Sequence, residues 1–468
     1  MRLLLRHWLF CAVLALATAL RALTMIGYPA IWFEDSFEYV GVAQRIQPYP
    51  VRPSGYSFLL WAMEPLHSFL AVAALQHLMG LATGVMVYAL IRRRASGLPK
   101  WVAVLAAAPV LLDAYQIFFE HAVLSDVLFS FLAVSAVTVA LWEPEFSARR
   151  AAAVGLLLAA ATLTRSIGLV LLPLLVGYLL LRRLGWRTLL AATFATTLPL
   201  GGYAAWYASW HDYPALNGGS GVWIWARTMP FADCARIRPP TEETVLCPPQ
   251  PVGLRPSSPY FIWSDWSPLR KVPGHPVTTR ADLFQPEINE LAGSLARRAI
   301  VGQPGDYLET VLRDLGQTLN WRRGPNPNSS VIGYNRYAFP NTRAPLPDGV
   351  RIPGAGIQQD LRTYEQGPVT VDFTEPAATV MRTYQASLFV PGTVFGVFAV
   401  LATLVHAATY VVRSRRGAAR EAALPLLFGI ALIAGPVVIT TYDSRYWLPA
   451  VPMFCLALAI TLDRTTLR

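Results

Sequence analysis

The sequence carries little charge for its length. Asp, Glu, Lys and Arg make up 14% of the 468 residues, hydrophobic residues make up 54%, and the mean hydropathy is +0.40. A typical soluble domain has about 25% charged residues, so this balance excludes an ordinary water-soluble fold and predicts a membrane protein. Lysine is nearly missing, with two residues against 37 arginines, which is typical of a GC-rich bacterial genome.

Nucleotide-binding motifs are also missing. The sequence contains no P-loop and no GxGxxG, the glycine-rich turns that hold nucleotide phosphates. The net charge of +11 needs no nucleic-acid partner, because arginines in short loops mark membrane topology and anionic headgroups are their natural partners. We therefore expect no nucleotide-binding fold and no nucleic-acid ligand.

About ten apolar stretches are candidates to cross the ~30 Å hydrocarbon core of a bilayer, which takes about 20 helical residues. Two of them, 151–163 and 168–181, are short and flank "TRSIG", so they are either two spans or one broken hairpin. The pattern predicts a mainly α, polytopic membrane protein. The stretches are 8–27, 68–91, 101–119, 124–142, 151–163, 168–181, 188–208, 388–412, 422–440 and 446–462.

Arginine clusters predict the orientation, since short loops rich in Arg and Lys stay in the cytoplasm. The clusters fall on alternate ends of the ten stretches, which puts both termini in the cytoplasm of a plasma-membrane protein. Residues 1–27 are alternatively a signal peptide, but cleavage would remove a span that this pattern uses. The clusters are Arg2 with Arg6, Arg92 to Arg94 with Lys100, Arg149 with Arg150, Arg182 with Arg183 and Arg187, Arg413 to Arg420, and Arg464 with Arg468.

The longest segment predicted to lie outside, 209–387, is rich in Pro, Gly, Asn and Asp, which indicates turns and loops. We expect a compact, loop-rich extracytoplasmic domain with helices around 286–302 and 305–319. It would separate an N-terminal membrane module, 1–208, from a C-terminal one, 388–468. Its tryptophans suit either stacking on sugar rings or the core of a small domain: Trp223, Trp225, Trp263, Trp266 and Trp321.

Cysteine is scarce as well. Cys11 and Cys455 lie in apolar stretches, where a thiol behaves as a small hydrophobic group. Cys234 and Cys247 lie in the outside segment, where an oxidising compartment permits a disulfide. A metal site is the weaker interpretation, because there is no CxxC pair and no nearby histidine. We predict a Cys234–Cys247 disulfide.

Arginines in short outside loops run against the positive-inside rule. Arg52, Arg165 and Arg445 are three such residues. One explanation is an anionic ligand, because a guanidinium group binds phosphate through two parallel hydrogen bonds. The alternative is that they reach outer headgroups or pair with Asp126 and Asp443 for structural reasons. Three of them together favour a phosphate site.

The stretch 34–47 follows the first apolar segment and has helical amphipathic spacing. It predicts a short helix that lies along the membrane interface, and Pro50 and Pro53 end it. Asp35 near its beginning is placed to act as a general base in a water-filled cavity. The alternative is that Asp35 or Glu34 only caps the helix, since acidic residues favour the first turn.

Together these motifs resemble the GT-C-type integral membrane glycosyltransferases, in particular the protein O-mannosyltransferases and the aminoarabinose transferases that modify lipid A. The resemblance covers roughly 8–208 and 430–460. It rests on an acidic residue after the first span, "RPSGY" before the second, "HAVLSDVLFSFL" opening the fourth, "TRSIG" after the fifth and "SRYWLPAVP" opening the last. The segment 209–387 resembles no family that we can name.

The resemblance implies that Asp35 deprotonates an acceptor hydroxyl as it attacks a sugar carried on polyprenyl phosphate, with inversion. Asp126 matches a second acidic position, which orients the acceptor or helps to hold a divalent cation, with Glu120 as a lesser candidate. Glu34 departs from the family pattern and leaves the choice of base open, although neighbouring helix residues point about 100° apart. The implied substrate-binding residues are Arg52, Tyr56, Glu120, His121, Arg165, Arg445 and Tyr446.

The expected function is therefore glycosyl transfer on the outer face, with a polyprenyl-phosphate sugar as donor and a glycan, lipid or protein as acceptor. The alternatives are a transporter or flippase of a lipid-linked glycan and a scaffold without catalysis. Transporters typically place polar groups at the bilayer midplane on broken, repeated helices. Here the polar residues gather at one face and no inverted repeat is evident, which favours the transferase and leaves the sugar and the acceptor open.

Overall fold

The computed structural model describes residues 6–321, 337–343, 345–350, 352, 354–412 and 416–463. Within these ranges the regular structure is helical, apart from one isolated parallel bridge between Ile31 and Ala122. The prediction of a mainly α fold is confirmed. Part of the predicted cytoplasmic charge lies outside the described residues, at Arg2, Arg413, Arg415, Arg464 and Arg468, and so does the turn-rich stretch 323–330.

The helices follow one another with short connections. Up to residue 211 they are α1 Trp8–Gly27, α2 Glu34–Arg45, α3 Gly55–Met63, α4 Phe69–Arg94, α5 Lys100–Leu112, α6 Ala114–His121, α7 Asp126–Leu141, α8 Ala148–Thr164, α9 Leu171–Leu181 and α10 Trp186–His211. The next are α11 Ser220–Thr228, α12 Cys234–Ile237, α13 Ser258–Trp263, α14 Pro286–Gly302, α15 Pro304–Gly316, α16 Ile357–Glu365 and α17 Ala377–Ser387. The last are α18 Gly392–Val411, α19 Arg416–Ile439 and α20 Trp447–Leu462. Short 3₁₀ turns lie at Glu64–Leu66, Ser166–Val170, Thr241–Leu246, Val252–Leu254, Pro268–Lys271, Ala281–Phe284, Gln317–Leu319 and Ser444–Tyr446.

Each of the ten predicted apolar stretches is largely helical, but fewer are long and apolar enough to span a bilayer. Among the described residues, five helices qualify by length and composition, and a sixth if the bent pair α5 and α6 is one span. α7 and Ser166–Leu181 are shorter apolar helices, so the count of ten spans stays a prediction. The uncertain stretch around "TRSIG" forms two helical segments that meet at Arg165.

The bend between α5 and α6 is 45°. Pro109 lies inside α5, and the bend leaves carbonyls that need donors. Arg21 of α1 donates to Leu111 O at 2.8 Å, while its Nε and Nη2 bind the Glu120 carboxylate at 2.7 and 2.8 Å. Gly80 makes room for Glu120, because a Cβ at residue 80 would lie 1.7 Å from Oε1. A buried ion pair thus holds the bend.

Among the described residues, three large hydrophobic cores organise the chain, and a fourth, small cluster joins Val311 to Val437 and Tyr442. One lies within the helix bundle, and a second joins the ends of α1, α2 and α4 to residues 337–384. The third lies in residues 222–299 and takes in Val42, Tyr49 and Val51 from the first loop. The segment 209–387 is therefore shared between two cores, and both cover the first loop.

α2 has the predicted helical position, with bounds close to 34–47, but protein surrounds it. Its central residues are buried, a Cβ at Gly41 would lie 2.7 Å from Ile352 Cγ1, and Arg45 binds both oxygens of Asp360 in α16 at 2.8 and 3.0 Å. The segment 209–387 therefore covers much of the face of α2 that was predicted to contact lipid. The location of α2 along the membrane interface stays a prediction.

Two predictions for the segment 209–387 are confirmed. The helices expected around 286–302 and 305–319 are α14 and α15 followed by a 3₁₀ turn, and Cys234 is bonded to Cys247. Trp225 is fully buried, whereas Trp266 and Trp321 are exposed, so the tryptophans divide between core and surface.

Candidate functional site

The candidate site lies where the loop after α1 meets the start of α7. Ile31 N donates to His121 O at 3.2 Å and Val123 N donates to Ile31 O at 3.0 Å. These two bonds place the first turn of α2 beside Asp126. The other side chains come from the loop after α2, from the junction of α8 and α9, and from the turn before α20.

Asp35 is held by two arginines that are far apart in sequence. Arg52 Nη1 lies 2.9 Å and Arg445 Nη1 lies 3.1 Å from the same oxygen, Oδ2. Burial raises the pKa of the Asp35 carboxyl, but the positive charges of Arg52 and Arg445 outweigh it, so the net pKa lies well below its usual range. With 24% of its side chain exposed, Asp35 is an ionised carboxylate that solvent or a substrate can reach.

Glu38, one helical turn further, is fully buried between two guanidinium groups. Arg52 Nη2 lies 2.8 Å from Oε2 and Arg280 Nη1 lies 3.3 Å from Oε1. Arg280 also binds Glu34 at 3.0 Å and lies over the ring of Trp263, 5.0 Å from its centroid. Burial, opposed by the two arginines, raises the pKa of Glu38. Glu38 therefore orients Arg52 towards Asp35.

Asp126 forms an ion pair with Arg165. Its side chain is almost completely buried, and Oδ2 has no hydrogen-bond partner among the described residues. Tyr39 connects this pair to the first loop: its hydroxyl is 2.8 Å from Ser125 Oγ, and Arg52 lies over its ring at 5.2 Å. The side chains of α2 and its following loop thus form one cluster with those at the start of α7.

The loop before α20 completes the cluster. Tyr337 donates its hydroxyl to Asp443, with oxygen distances of 2.7 and 2.9 Å, and Arg445 Nε lies 3.3 Å from Asp443 Oδ2. Burial raises the pKa of Tyr337, the charges of Asp443 and Asp126 raise it further, and Arg445 opposes them. Tyr446 follows Arg445 in the 3₁₀ turn Ser444–Tyr446, which leads into α20.

The predicted site residues therefore separate into two groups. The structure brings together Asp35, Arg52, Asp126, Arg165, Arg445 and Tyr446. Each of the three arginines has a carboxylate partner, as the structural alternative expected, but these partners belong to one shared cluster. An anionic ligand must compete with carboxylates for these guanidinium groups.

Tyr56, Glu120 and His121 lie instead in a buried polar network behind the site. Tyr56 donates to Gln76 Oε1 at 2.8 Å, and Gln76 Nε2 donates to Ala122 O at 2.7 Å. His121 Nε2 is 3.0 Å from Tyr28 O, and because a carbonyl only accepts, this nitrogen carries the proton. Their polar atoms face the protein and hold the loops that form the site.

Sequence reasoning missed the contributions of Arg280 and Tyr337, and it gave no role to Glu38 in the charged first loop. Glu38 stands in the charged opening stretch, so its position one turn after Asp35 was an available signal. Arg280 and Tyr337 come from the loop-rich segment, where helical spacing offers no guide.

A three-ligand metal site is not evident in the described part of the chain. No group of three or more His, Cys, Asp or Glu side chains there has a suitable arrangement. Glu120, one of the two carboxylates considered for a divalent cation, is bound by Arg21, His77 and Gln116. Within the described part of the chain, Glu120 and Asp126 are each paired with an arginine and do not supply the set of oxygen ligands that a divalent cation requires.

No protein-family model and no curated protein matches the chain. Solved structures are similar to it: the apo oligosaccharyltransferase of Archaeoglobus fulgidus matches 96% of this chain at 14% identity, with a TM-score of 0.42. The chain spans about half of that protein, with 50% of it covered. ArnT from Cupriavidus metallidurans bound to undecaprenyl phosphate is similar at 13% identity with a TM-score of 0.34, and the match covers 97% of this chain and 77% of the ArnT chain.

Proposed function

We propose that this protein transfers a sugar from a polyprenyl-phosphate donor to an acceptor hydroxyl at the extracytoplasmic face of the membrane, with Asp35 as general base. The observation that carries the proposal is the Asp35 carboxylate held by Arg52 and Arg445 at a partly open position. It combines a proton acceptor with the cations that a phosphate leaving group requires.

The two arginines also set the strength of the base. A carboxylate between two guanidinium groups is a weak proton acceptor, because the positive charges stabilise its ionised form. The donor phosphate competes for Arg445, and when it takes that guanidinium group, Asp35 loses one of its two cations. The carboxylate then becomes more basic at the moment when the sugar is in place.

The chemical step is a single displacement. The acceptor oxygen forms a bond to the anomeric carbon, its proton passes to Asp35 Oδ1, and the bond from the anomeric carbon to the phosphate oxygen breaks. The electron pair of that bond stays on the released polyprenyl phosphate, which gains one negative charge. Attack from the side opposite the phosphate inverts the configuration at the anomeric carbon.

Arg165 and Asp126 complete the proposed site. Arg165 lies close enough to share the developing charge on the phosphate with Arg445. The Asp126 oxygen that has no partner, Oδ2, accepts a hydrogen bond from a second hydroxyl of the acceptor and orients it. In this proposal 1–208 and 388–468 form the membrane modules, 209–387 is the extracytoplasmic domain, and both termini are cytoplasmic.

The test uses purified full-length protein in detergent with a synthetic short-chain polyprenyl-phosphate sugar. We expect time-dependent release of polyprenyl phosphate, detected by mass spectrometry, and its loss in the Asp35→Asn variant. A panel of donor sugars and of lipid, glycan and peptide hydroxyls identifies the substrates. A flippase moves the intact donor across reconstituted vesicles without releasing lipid phosphate, so that result would overturn the transferase.

A further inference from the structure

Helix α15, Pro304–Gly316, has an exposed apolar strip. Leu308 and Leu312 are 56% and 58% exposed, and four residues apart they lie about 40° from each other around the helix. The opposite part of the exposed surface is charged, with Arg313 bound to Glu309 as an (i, i+4) pair. The helix therefore has separate apolar and charged outer faces.

The buried side of α15 packs against the end of α19, a candidate membrane span. Val311 packs with Val437 and Tyr442, and the Tyr307 hydroxyl donates to Val438 O at 3.0 Å. Because successive helical residues are about 100° apart, Leu308 and Leu312 lie on the helix surface directly beside this contact side. The apolar strip consequently lies next to α19, and the charged face lies further away.

The other end of α15 is fixed to the beginning of α18, another candidate span. Thr393 Oγ1 donates to Leu319 O at 2.5 Å, and a Cβ at Gly392 would lie 1.9 Å from Asn320 O. Leu319 and Trp321, which follow α15, are exposed as well. Leu319 lies directly against α18, because a Cβ at Gly396 would be 2.2 Å from Leu319 Cδ2. The same helix exposes a set of apolar side chains: Val394, Val397, Val400, Leu401 and Leu404.

We infer that α15 lies in the bilayer surface on the side of the candidate site, with Leu308 and Leu312 among the lipid acyl chains. The occupant follows from the contacts of α15 and its following turn with α19 and α18, two candidate spans whose exposed apolar faces a bilayer covers when the helices cross it. The Glu309–Arg313 pair then faces water, as on other interfacial helices. The sequence assigned this role to α2, which the structure buries within protein.

The position of α15 has a consequence for the site. Its contact Tyr442 immediately precedes Asp443, which pairs with Arg445. A helix seated in the lipid surface thus sets the depth of the loop 441–446 relative to the headgroups. The partner is the membrane itself, and the inference does not depend on sugar transfer.

Site-directed fluorescence quenching in lipid nanodiscs tests it. A bimane label is placed at L312C or, as the matched control one turn back on the charged face, at E309C, in a background with Cys11 and Cys455 replaced by Ala. We expect the label at 312 to be quenched several-fold more by phosphatidylcholine carrying a 5-doxyl group than the label at 309. Aqueous iodide should show the reverse order.

Equal iodide quenching at both positions would overturn the inference. So would shielding of position 312 from both quenchers, because protein would then cover the strip. If the background without Cys11 and Cys455 does not fold, benzoylphenylalanine at 312 or 309 in the otherwise unchanged chain replaces the label. Photo-crosslinks to phospholipid are then expected from 312 and not from 309, and crosslinks from 312 to protein alone would refute the proposal.

Discussion

Arg445 Nη1 lies 3.1 Å from Asp35 Oδ2, although the two residues are 410 positions apart in the chain. The contact joins the first loop to the turn before the last helix and encloses the candidate site between them. Arg52 binds the same oxygen, so one carboxylate oxygen contacts arginines from both the N-terminal and the C-terminal part of the chain.

Replacing Asp35 distinguishes a role of its carboxylate as general base from a purely structural role. Asp35→Asn keeps the shape but removes the charge, and loss of a general base typically lowers the rate about 10²–10⁴-fold, with a poorly nucleophilic hydroxyl towards the upper end. Asp35 lies in the first turn of α2, whose N-cap is Phe33. A purely structural role through its two ion pairs should therefore lower thermal stability and leave the turnover of folded protein largely unchanged. Turnover of the synthetic donor is the measurement.

Glu34→Gln is the control for that variant, because Glu34 pairs with Arg280 outside the Asp35 contacts. We expect it to retain most of its activity. A folded but inactive Glu34→Gln protein beside an active Asp35→Asn protein would transfer the role of base to Glu34. Full activity in both would remove catalysis from this loop.

Arg165 and Arg445 are expected to bind the donor phosphate. A hydrogen bond to a charged group is worth about 1.5–3 kcal/mol, so alanine at either position should reduce kcat/KM for the donor roughly 10- to 100-fold. The exposed Arg297, away from the cluster, is the matched control, and Arg297→Ala should be unchanged.

Arg165→Lys distinguishes phosphate binding from a structural role. It keeps a positive charge beside the buried Asp126 but loses the paired hydrogen bonds of a guanidinium group. We expect normal thermal stability with weakened donor use. Wild-type kinetics in Arg165→Lys and Arg445→Ala together would mean that these arginines only balance the carboxylates.

Glu120 is expected to stabilise the fold and not to bind the substrate. Removing one partner of a buried ion pair costs about 3–5 kcal/mol, whereas replacing both by apolar residues costs less. Glu120→Leu should therefore lower the thermal stability and the folded yield in detergent, and the Arg21→Leu/Glu120→Leu double variant should recover part of both. A stable Glu120→Leu protein that has lost donor use would return Glu120 to the site.

The Cys234–Cys247 disulfide should be present in protein taken from its native membrane. The side of the membrane decides this, because disulfides persist in oxidising compartments. Peptide mapping without reduction should recover the linked peptides, and the Cys234→Ser/Cys247→Ser variant should lose roughly 3 kcal/mol of stability for a loop of this size. Two free thiols in the native protein would contradict the proposed outer location of the segment.

Local patterns predicted the elements well. Apolar length and helical periodicity located the helices at the ten stretches and at α14 and α15, because helix formation depends on neighbours three and four residues away. The predicted location of Cys234 and Cys247 in an oxidising compartment was enough to predict the disulfide. The number of spans was not predictable in this way, since α7 and Ser166–Leu181 are apolar but shorter than the helices that qualify as spans.

The amino-acid sequence by itself determined that this is a helical membrane protein, and it located charged residues in loops that meet on one side. The tertiary structure decided which of those charges face one another. Two ion pairs show this difference. The Asp35–Arg445 pair is partly exposed to solvent, whereas the Arg21–Glu120 pair is buried at the bend between α5 and α6. The physical reason is that burial and charge pairing arise from contacts between segments that are 410 and 99 residues apart in these two pairs, and a local pattern contains no information about them.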